Sequence, residues 1–288
     1  MLDIIYNPIS GKGKSASALK ITVQALTDAQ TEYRIHETAY VGHAKEIAEE
    51  LNQQEDCKLM ILGGDGTFNE VLNGITDFDK ITVGFIPCGT GNDYVRAAKL
   101  PVDTVAAVNA VLAGKTAYSD FIQLGVRRAL NCAGAGMDVD VLVRYSNMKA
   151  FKGKTKYYAS LIDTLLHLKF HKLRLTINGE SSEKNVFLIT AANGTCIGGG
   201  MPISPSSDPF DGVLNIVVIN EMKKRKILGA LLAFLKGKHI GKPYTETYTC
   251  TEALIEILDE GKTEVDGEVF DNKILDCKLV SGKLRIFK

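Results

Sequence analysis

Apolar positions cluster in short runs at residues 2–6, 33–37, 58–62 and 81–86, and the segments between them carry apolar residues at helical spacing. Ala18, Ile21 and Ala25 mark one face of a helix over 15–26, with Ser15 at its N-cap. Further helices are predicted over 43–51, after residue 70, up to Ala98, and over 102–112. Strands alternating with helices predict a parallel sheet covered on both faces, with ligands beyond the carboxyl ends of its strands. From about Asp120 the pattern changes. Residues 121–126 and 128–133 read as a hairpin, 131–138 as a small-residue turn into a helix over 139–145, and 154–167 as a second helix. Residues 172–178 alternate strictly, with Leu173, Leu175 and Ile177 on one face, as in a half-buried strand. Strands follow at 186–192 and 213–219 and, after a helix, at 244–250, 253–258, 273–279 and 283–287. Such a succession predicts a β-sandwich or barrel-like second domain.

Glycine-rich turns join the first-half strands to their helices. Residues 62–70 read Leu-Gly-Gly-Asp-Gly-Thr-Phe-Asn-Glu, residues 7–15 Asn-Pro-Ile-Ser-Gly-Lys-Gly-Lys-Ser, and residues 87–93 Pro-Cys-Gly-Thr-Gly-Asn-Asp. Glycines let the backbone approach a bulky ligand without Cβ clashes. Gly13-Lys14-Ser15 ends like a P-loop, but Pro8 stands where that motif needs glycine. Gly89-Thr90-Gly91 starts like a dinucleotide fingerprint, but Tyr94 holds the third glycine position, which argues against a Rossmann dehydrogenase. Any one turn is explained as a tight connection. Three together at one edge, carrying hydroxyls, Lys12 and two carboxylates, point to phosphate binding by free N–H groups at helix starts. Asp65 is a poor partner for phosphate and a good one for a metal ion that holds phosphate.

Composition narrows this further. The 288 residues exceed what one core usually serves, which predicts two domains, and 45% hydrophobic with 24% charged residues is ordinary for a globular protein. Lys+Arg and Asp+Glu are both 34, so no global basic field draws the chain to nucleic acid or an anionic membrane. The N-terminus lacks a signal-type segment and no apolar stretch is long enough to span a bilayer. Six scattered cysteines without Cys-x-x-Cys spacing argue against zinc and for reduced thiols in a cytoplasmic protein.

The three motifs, in this order and spacing, resemble the diacylglycerol kinase catalytic domain family, which includes bacterial soluble lipid kinases, sphingosine kinases and ceramide kinases. The resemblance runs to the C-terminus. It implies an NAD kinase/phosphofructokinase-like α/β domain over 1–122, to which the last strand, about 280–288, returns, and a β-rich lipid-substrate domain over 123–279. It implies ATP and Mg2+ as cofactors, and a homodimer as a family-level expectation.

Three second-half features gain a reading beside the plain one. Asp266-Gly267 is a hairpin turn by itself; Asp266-Gly267-Glu268 also resembles the family element whose carboxylate faces the transferring phosphoryl group. A hydroxyl acceptor needs a base, with Asp266 the first choice and Glu268 the second. Asp208 and Asp211, three apart in a constrained turn with the Val213 carbonyl, match a structural Mg2+ site in bacterial members, or cap the turn. Lys223-Lys224-Arg225-Lys226, followed by Ile227, Leu228, Leu231, Leu232, Phe234 and Leu235, is a basic-flanked amphipathic helix. Its apolar face packs on the sandwich, and its lysines are placed to touch anionic lipid.

The combined expectation is a Mg-dependent kinase moving the γ-phosphoryl of ATP to a lipid hydroxyl, diacylglycerol to phosphatidate being the first choice, at a membrane surface reached from the cytoplasm. Asn7, Pro8, Ser10, Gly11, Lys12, Thr38, Gly63, Gly64, Gly66, Thr67, Asn69, Glu70, Gly89, Thr90 and Asn92, with Asp65, are the expected ATP contacts. Asp65 and Asp93 are the expected holders of the catalytic Mg2+. The alternatives are an NAD kinase, which shares Gly-Gly-Asp-Gly-Thr but not the other two motifs, and a non-catalytic nucleotide- or lipid-binding regulator.

Overall fold

Four parallel strands carry the first half: β1 (Leu2–Tyr6), β2 (Tyr33–Glu37), β3 (Cys57–Gly63) and β4 (Ile81–Pro87), in spatial order β4-β3-β1-β2. The computed structural model describes residues 1–149 and 153–288. The chain runs from β1 outward to β2, then back across β1 to β3. The order therefore reverses beside β1, and the turns after β1 and β3 flank a topological switch point. β1 and β4 are buried throughout and β3 nearly so, as parallel strands covered on both faces must be. Helices α2 (His43–Leu51) and α3 (Asp65–Gly74) pack Ile47, Phe68 and Val71 onto one face of the sheet; α1 (Lys14–Asp28) and α5 (Thr104–Ala113) pack Ala18, Leu26 and Val108 onto the other. The short α4 (Asp93–Ala97) follows β4.

The second half is strand-rich. β5 (Thr116–Leu124), β6 (Arg127–Ala129) and β7 (Cys132–Gly136) precede helices α6 (Met137–Asn147) and α7 (Gly153–Leu166). β8 (His171–Ile177), β9 (Glu180–Ala192) and the small hairpin β10 (Cys196–Ile197) and β11 (Met201–Pro202) follow, then β12 (Leu214–Asn220) and α8 (Lys224–Leu235). β13 (Thr245–Cys250), β14 (Glu252–Ile257), β15 (Thr263–Val265), β16 (Glu268–Phe270) and β17 (Ile274–Phe287) complete the chain. The architecture is the expected one, an α/β half joined to a β-sandwich-like half. The joint is β17, which pairs antiparallel with β14 and β5 and, at Ile286, parallel with Val83 of β4. The expected strands at 273–279 and 283–287 are one strand with an irregularity between Val280 and Leu284.

Two local expectations are corrected. The helix placed after residue 70 opens at Asp65, so the turn after β3 is confined to Gly64. Cys132-Ala133-Gly134-Ala135-Gly136, read as a turn, is the buried strand β7 between β9 and β15. Its small residues serve close packing rather than turning: a Cβ on Gly134 would sit 2.6 Å from the Ile189 carbonyl oxygen. Gly134→Val is therefore expected to cost roughly 1–3 kcal/mol through overpacking, read as a lower thermal midpoint. An unchanged midpoint would mean β9 yields there freely.

Candidate active site

The three glycine turns interlock at the carboxyl edge of the parallel sheet. Gly11 has φ +63, and a Cβ there would lie 1.9 Å from the Cys88 carbonyl oxygen. A Cβ on Gly89 would lie 2.7 Å from the Gly64 Cα, so only glycine lets these turns touch. Asn7 N–H donates to the Leu62 carbonyl (3.0 Å) and Cys88 N–H to that of Gly63 (2.7 Å). Asn7 Nδ2 donates to Thr67 Oγ1 (2.9 Å), and Ser15 Oγ to the Pro8 carbonyl (3.1 Å), tying the first turn to α3 and α1. A Cβ on Gly64 would be 3.5 Å from Ser10 Oγ. Lys12, at φ 56, and Gly66 are exposed beside this edge; Thr38 is buried at the end of β2, its N–H bonded to the Tyr6 carbonyl (2.9 Å). Glu70 is engaged elsewhere, accepting from Ala44 N–H (3.2 Å) in the first turn of α2.

Asp65 opens α3 and reaches across to the start of α4, where its Oδ2 accepts from Asn92 N–H (2.7 Å). Asn92 stands at φ 54 and closes its own turn through Nδ2 to the Gly89 carbonyl (3.1 Å). Asp93 Oδ2 accepts from Gly199 N–H (2.8 Å). The second oxygens, Asp65 Oδ1 and Asp93 Oδ1, are buried without a hydrogen-bond partner. Burial raises both carboxyls above the usual carboxylate range, and the charge of Asp65 raises Asp93 further.

Asp266 comes from the other half of the molecule. It turns the β15–β16 hairpin with φ 47, followed by Gly267 at φ 86, so the hairpin reading and the placement of a carboxylate are one and the same device. Its Oδ2 accepts from Asn69 Nδ2 and Leu130 N–H, both at 2.7 Å; its Oδ1 accepts from Asn131 N–H (3.0 Å) and Cys132 N–H (2.9 Å). Asn69 lies on α3, so this bond joins the two halves at the site. Burial lifts Asp266 to about 6 even against these four donors. Glu268 is exposed and stands outside the cavity lining.

Two acids were not singled out by sequence reasoning. Glu264 is buried in β15, with Oε2 accepting from Gly267 N–H (2.8 Å). Burial and then the charge of Asp138 hold its carboxyl well above the usual range. Asp138, at the start of α6, accepts from Val139 N–H through Oδ1 (2.9 Å), leaves Oδ2 buried without a partner, and is lifted to about 6, chiefly by burial. A lone acid inside an otherwise buried three-residue strand, Thr263-Glu264-Val265, was the available signal.

Asp65, Asp93, Asp138, Glu264 and Asp266, with Thr90, line one cavity of ≈ 350 Å³ whose remaining wall is mostly apolar, including Met137, Val141, Leu161, Leu231 and Phe234. Among the described residues no Lys, Arg or His lines it. A phosphate entering so acidic a place needs a cation beside it, and the two unpartnered oxygens of Asp65 and Asp93 fit one. No group of three or more acidic, His or Cys side chains suited to holding a metal occurs among the described residues. At 208–213 the bonds are those of capping turns: Phe210 N–H to Asp208 (3.2 Å) and Val213 N–H to Asp211 (2.9 Å), with Lys99 3.6 Å from Asp208. Neither acid there has a buried, unpartnered oxygen.

A parallel α/β sheet joined through a shared strand to a sandwich, with an acidic cavity between glycine turns and an apolar wall, defines a two-lobed kinase-type fold. The diacylglycerol kinase catalytic domain model matches residues 2–124, and the YegS C-terminal NAD kinase beta sandwich-like domain model matches residues 131–288. The chain belongs to this diacylglycerol kinase family with a YegS-type C-terminal domain. It is 28% identical to a diacylglycerol kinase of Bacillus subtilis (strain 168) over 270 residues, covering 92% of this chain and 88% of the relative. It is 27% identical to a diacylglycerol kinase of Staphylococcus carnosus (strain TM300) over 267 residues, covering 92% and 87%. A crystal structure of a diacylglycerol kinase from Bacillus anthracis str. Sterne shares the fold, with a TM-score of 0.75 at 23% identity and coverage of 99% and 96%.

Proposed function

We propose that the protein is an ATP-dependent lipid kinase that transfers the γ-phosphoryl group to a lipid hydroxyl, diacylglycerol being the first choice and phosphatidate the product. The carrying observation is the position of Asp266, pinned at the junction of the acidic, glycine-lined edge and the apolar wall of one cavity. Residues 1–122 would supply the nucleotide side and 123–279 the lipid side. The glycine turns present N–H groups to the phosphates, with Lys12 beside them as a mobile positive charge. Asp65 and Asp93 would hold Mg2+, which would supply charge neutralisation for the phosphates. Asp266 orients the acceptor hydroxyl and takes its proton; Glu268, the second choice on sequence, is exposed outside the cavity lining and gives that place to Asp138. All four acceptor positions of Asp266 are filled, so one donor must yield, and Asn69 is the only side chain among them. The apolar wall excludes water, which favours the lipid over hydrolysis. A homodimer and a structural Mg2+ at Asp208, Asp211 and Val213 rest on the resemblance alone; light scattering and metal analysis of the purified protein check them.

The deciding experiment offers diacylglycerol, sphingosine, ceramide and NAD as acceptors in mixed micelles with radiolabelled ATP. Labelled phosphatidate is the expected product. Labelled NADP, or tight Mg-ATP binding without turnover on any acceptor, would replace the reading. Activity should also follow the protonation of the base. Asp266 ionises near 6, so kcat/KM is expected to be flat above that pH and to fall about tenfold per unit below it. The same raised carboxyl favours the folded state below about pH 4, an advantage lost as pH rises through 6. A profile without an acid limb between pH 5 and 7 would remove Asp266 as the base.

A further inference from the structure

Helix α3 carries Asp65, Asn69 and Asn73 at i, i+4 and i+8, one row along a single face. On sequence Asn69 is an ATP contact. The structure uses both of its amide protons elsewhere: Asn69 Nδ2 donates to Asp266 Oδ2 (2.7 Å) and to the Arg128 carbonyl (2.9 Å). One turn further on, Asn73 Nδ2 donates to Asn69 Oδ1 (3.0 Å), to the Asn69 carbonyl (2.9 Å) and to the Arg128 carbonyl (3.0 Å). Asn73 Oδ1 accepts from Arg128 N–H (2.8 Å). The Arg128 guanidinium holds the same helix at its far end, with Nη1 donating to the Leu72 (2.9 Å) and Ile75 (2.6 Å) carbonyls.

A side-chain amide has the same shape with its oxygen and nitrogen exchanged, so its bonds alone decide which way it faces. Here the direction is set by a backbone group that cannot turn. Arg128 N–H can only donate, so Asn73 shows it the oxygen. That turns the Asn73 NH2 to Asn69, whose oxygen must face it. The other end of Asn69, its NH2, is left to face Asp266. We propose that Asn69 and Asn73 are positioning residues for the base: Asn73 keeps the Asn69 amide in the sense that donates, and Asn69 fixes the plane of the Asp266 carboxylate and favours its ionised form. Burial lifts this carboxyl to about 6 against the N–H groups of residues 130–132 and the Asn69 amide. The three N–H groups belong to the backbone, so Asn69 is the one contribution that a side chain tunes. The other titratable groups facing Asp266 are Glu264 on its own hairpin, Cys132 of β7 and Asp138 of α6, with Asp65 of α3 and Asp93 of α4 in the same cavity. The inference rests on the reading of Asp266 as base for its purpose, but its first readout needs no turnover.

The test follows the Asp266 carboxyl by 13C NMR of the full chain labelled at aspartate Cγ, its signal being the one absent from Asp266→Asn. Asn69→Leu, of similar size and without charge, should raise the titration midpoint by about one pH unit, the scale of one hydrogen bond to a charged group. Asn73→Leu should raise it in the same direction, although Asn73 does not touch Asp266. The double variant should titrate where Asn69→Leu does, because Asn73 acts only through Asn69. The corresponding alanine variants repeat the series should a leucine variant fail to fold. At saturating Mg-ATP the acid limb of kcat/KM for diacylglycerol should move with the carboxyl, and the KM for ATP should stay within a few-fold. Asn52→Ala is the control for stability. Asn52 is buried and accepts from Thr76 N–H (2.8 Å) and Asp77 N–H (2.6 Å) beyond the end of α3, so its loss should lower the thermal midpoint and leave the Asp266 titration in place. An Asn69→Leu variant with an unmoved carboxyl and a raised KM for ATP would overturn the proposal and return Asn69 to the nucleotide. An Asn73→Leu variant that loses stability without moving the carboxyl would leave Asn73 as a tie between α3 and β6 and end its positioning role. Shifts that add in the double variant would end it too. Should the carboxyl move as expected while no acceptor is phosphorylated, the kinase reading falls and the positioning of Asp266 stands.

Discussion

Replacing Asp266 with Asn is expected to lower turnover by about 10²–10⁴-fold, the range for loss of a general base, while the affinity for Mg-ATP stays within a few-fold. Asn cannot take a proton from the acceptor hydroxyl. The structure adds a second consequence. The carboxylate receives four hydrogen bonds, three from the consecutive N–H groups of residues 130–132 and one from Asn69. An Asn there turns an NH2 group toward two donors, which is expected to cost about 1–3 kcal/mol in stability as well. Steady-state kinetics must therefore be read at a temperature well below the variant's thermal midpoint. Turnover within a few-fold of wild type would mean that the proton goes elsewhere, and Asp138, with its unpartnered Oδ2 in the same cavity, is the next group to replace.

Asp65→Asn is expected to weaken Mg-ATP binding by roughly 10–100-fold, the scale seen when groups supporting a bound metal are removed, with little loss of stability. An Asn oxygen can still accept from Asn92 N–H, so the start of α4 keeps its cap. What disappears is a negative charge beside Asp93, whose own carboxyl is raised partly by Asp65. Relief of that repulsion should hold the thermal midpoint at or above the wild-type value. Isothermal titration with ATP across a range of Mg2+ concentrations separates the two effects. Unchanged affinity at every concentration would end the metal role of Asp65 and leave it as a cap for α4.

How much of this was legible beforehand depends on whether the decisive contacts are local. The three glycine turns could be read from their spacing because each joins one strand to one helix. Helical and alternating periods likewise reflect burial of neighbours along the chain. β7 was misread because Cys132 to Gly136 has the composition of a turn; it is a strand only because β9 approaches too closely for larger residues. The double face of α8 was equally hidden. Its apolar residues look alike in order, and only packing into the cluster with Met137, Phe187, Ile203 and Val217 separates Leu231 from Leu232.

By itself the sequence determined the parallel α/β half, the strand-rich second half, the three glycine turns along one sheet edge and the family. Those follow from local period, from glycine where backbones must touch, and from motif order. Tertiary structure alone decided which acids share a cavity. Asp65, Asp93, Asp138, Glu264 and Asp266 span some two hundred residues of chain, and nothing in local propensity ties them together. Their meeting comes from β17, whose pairing with both β4 and β14 holds the two halves in one sheet, and from the Asn69–Asp266 bond across the junction. Burial in that shared cavity, rather than residue type, raises these carboxyls and divides Asp266 from the exposed Glu268 two positions away.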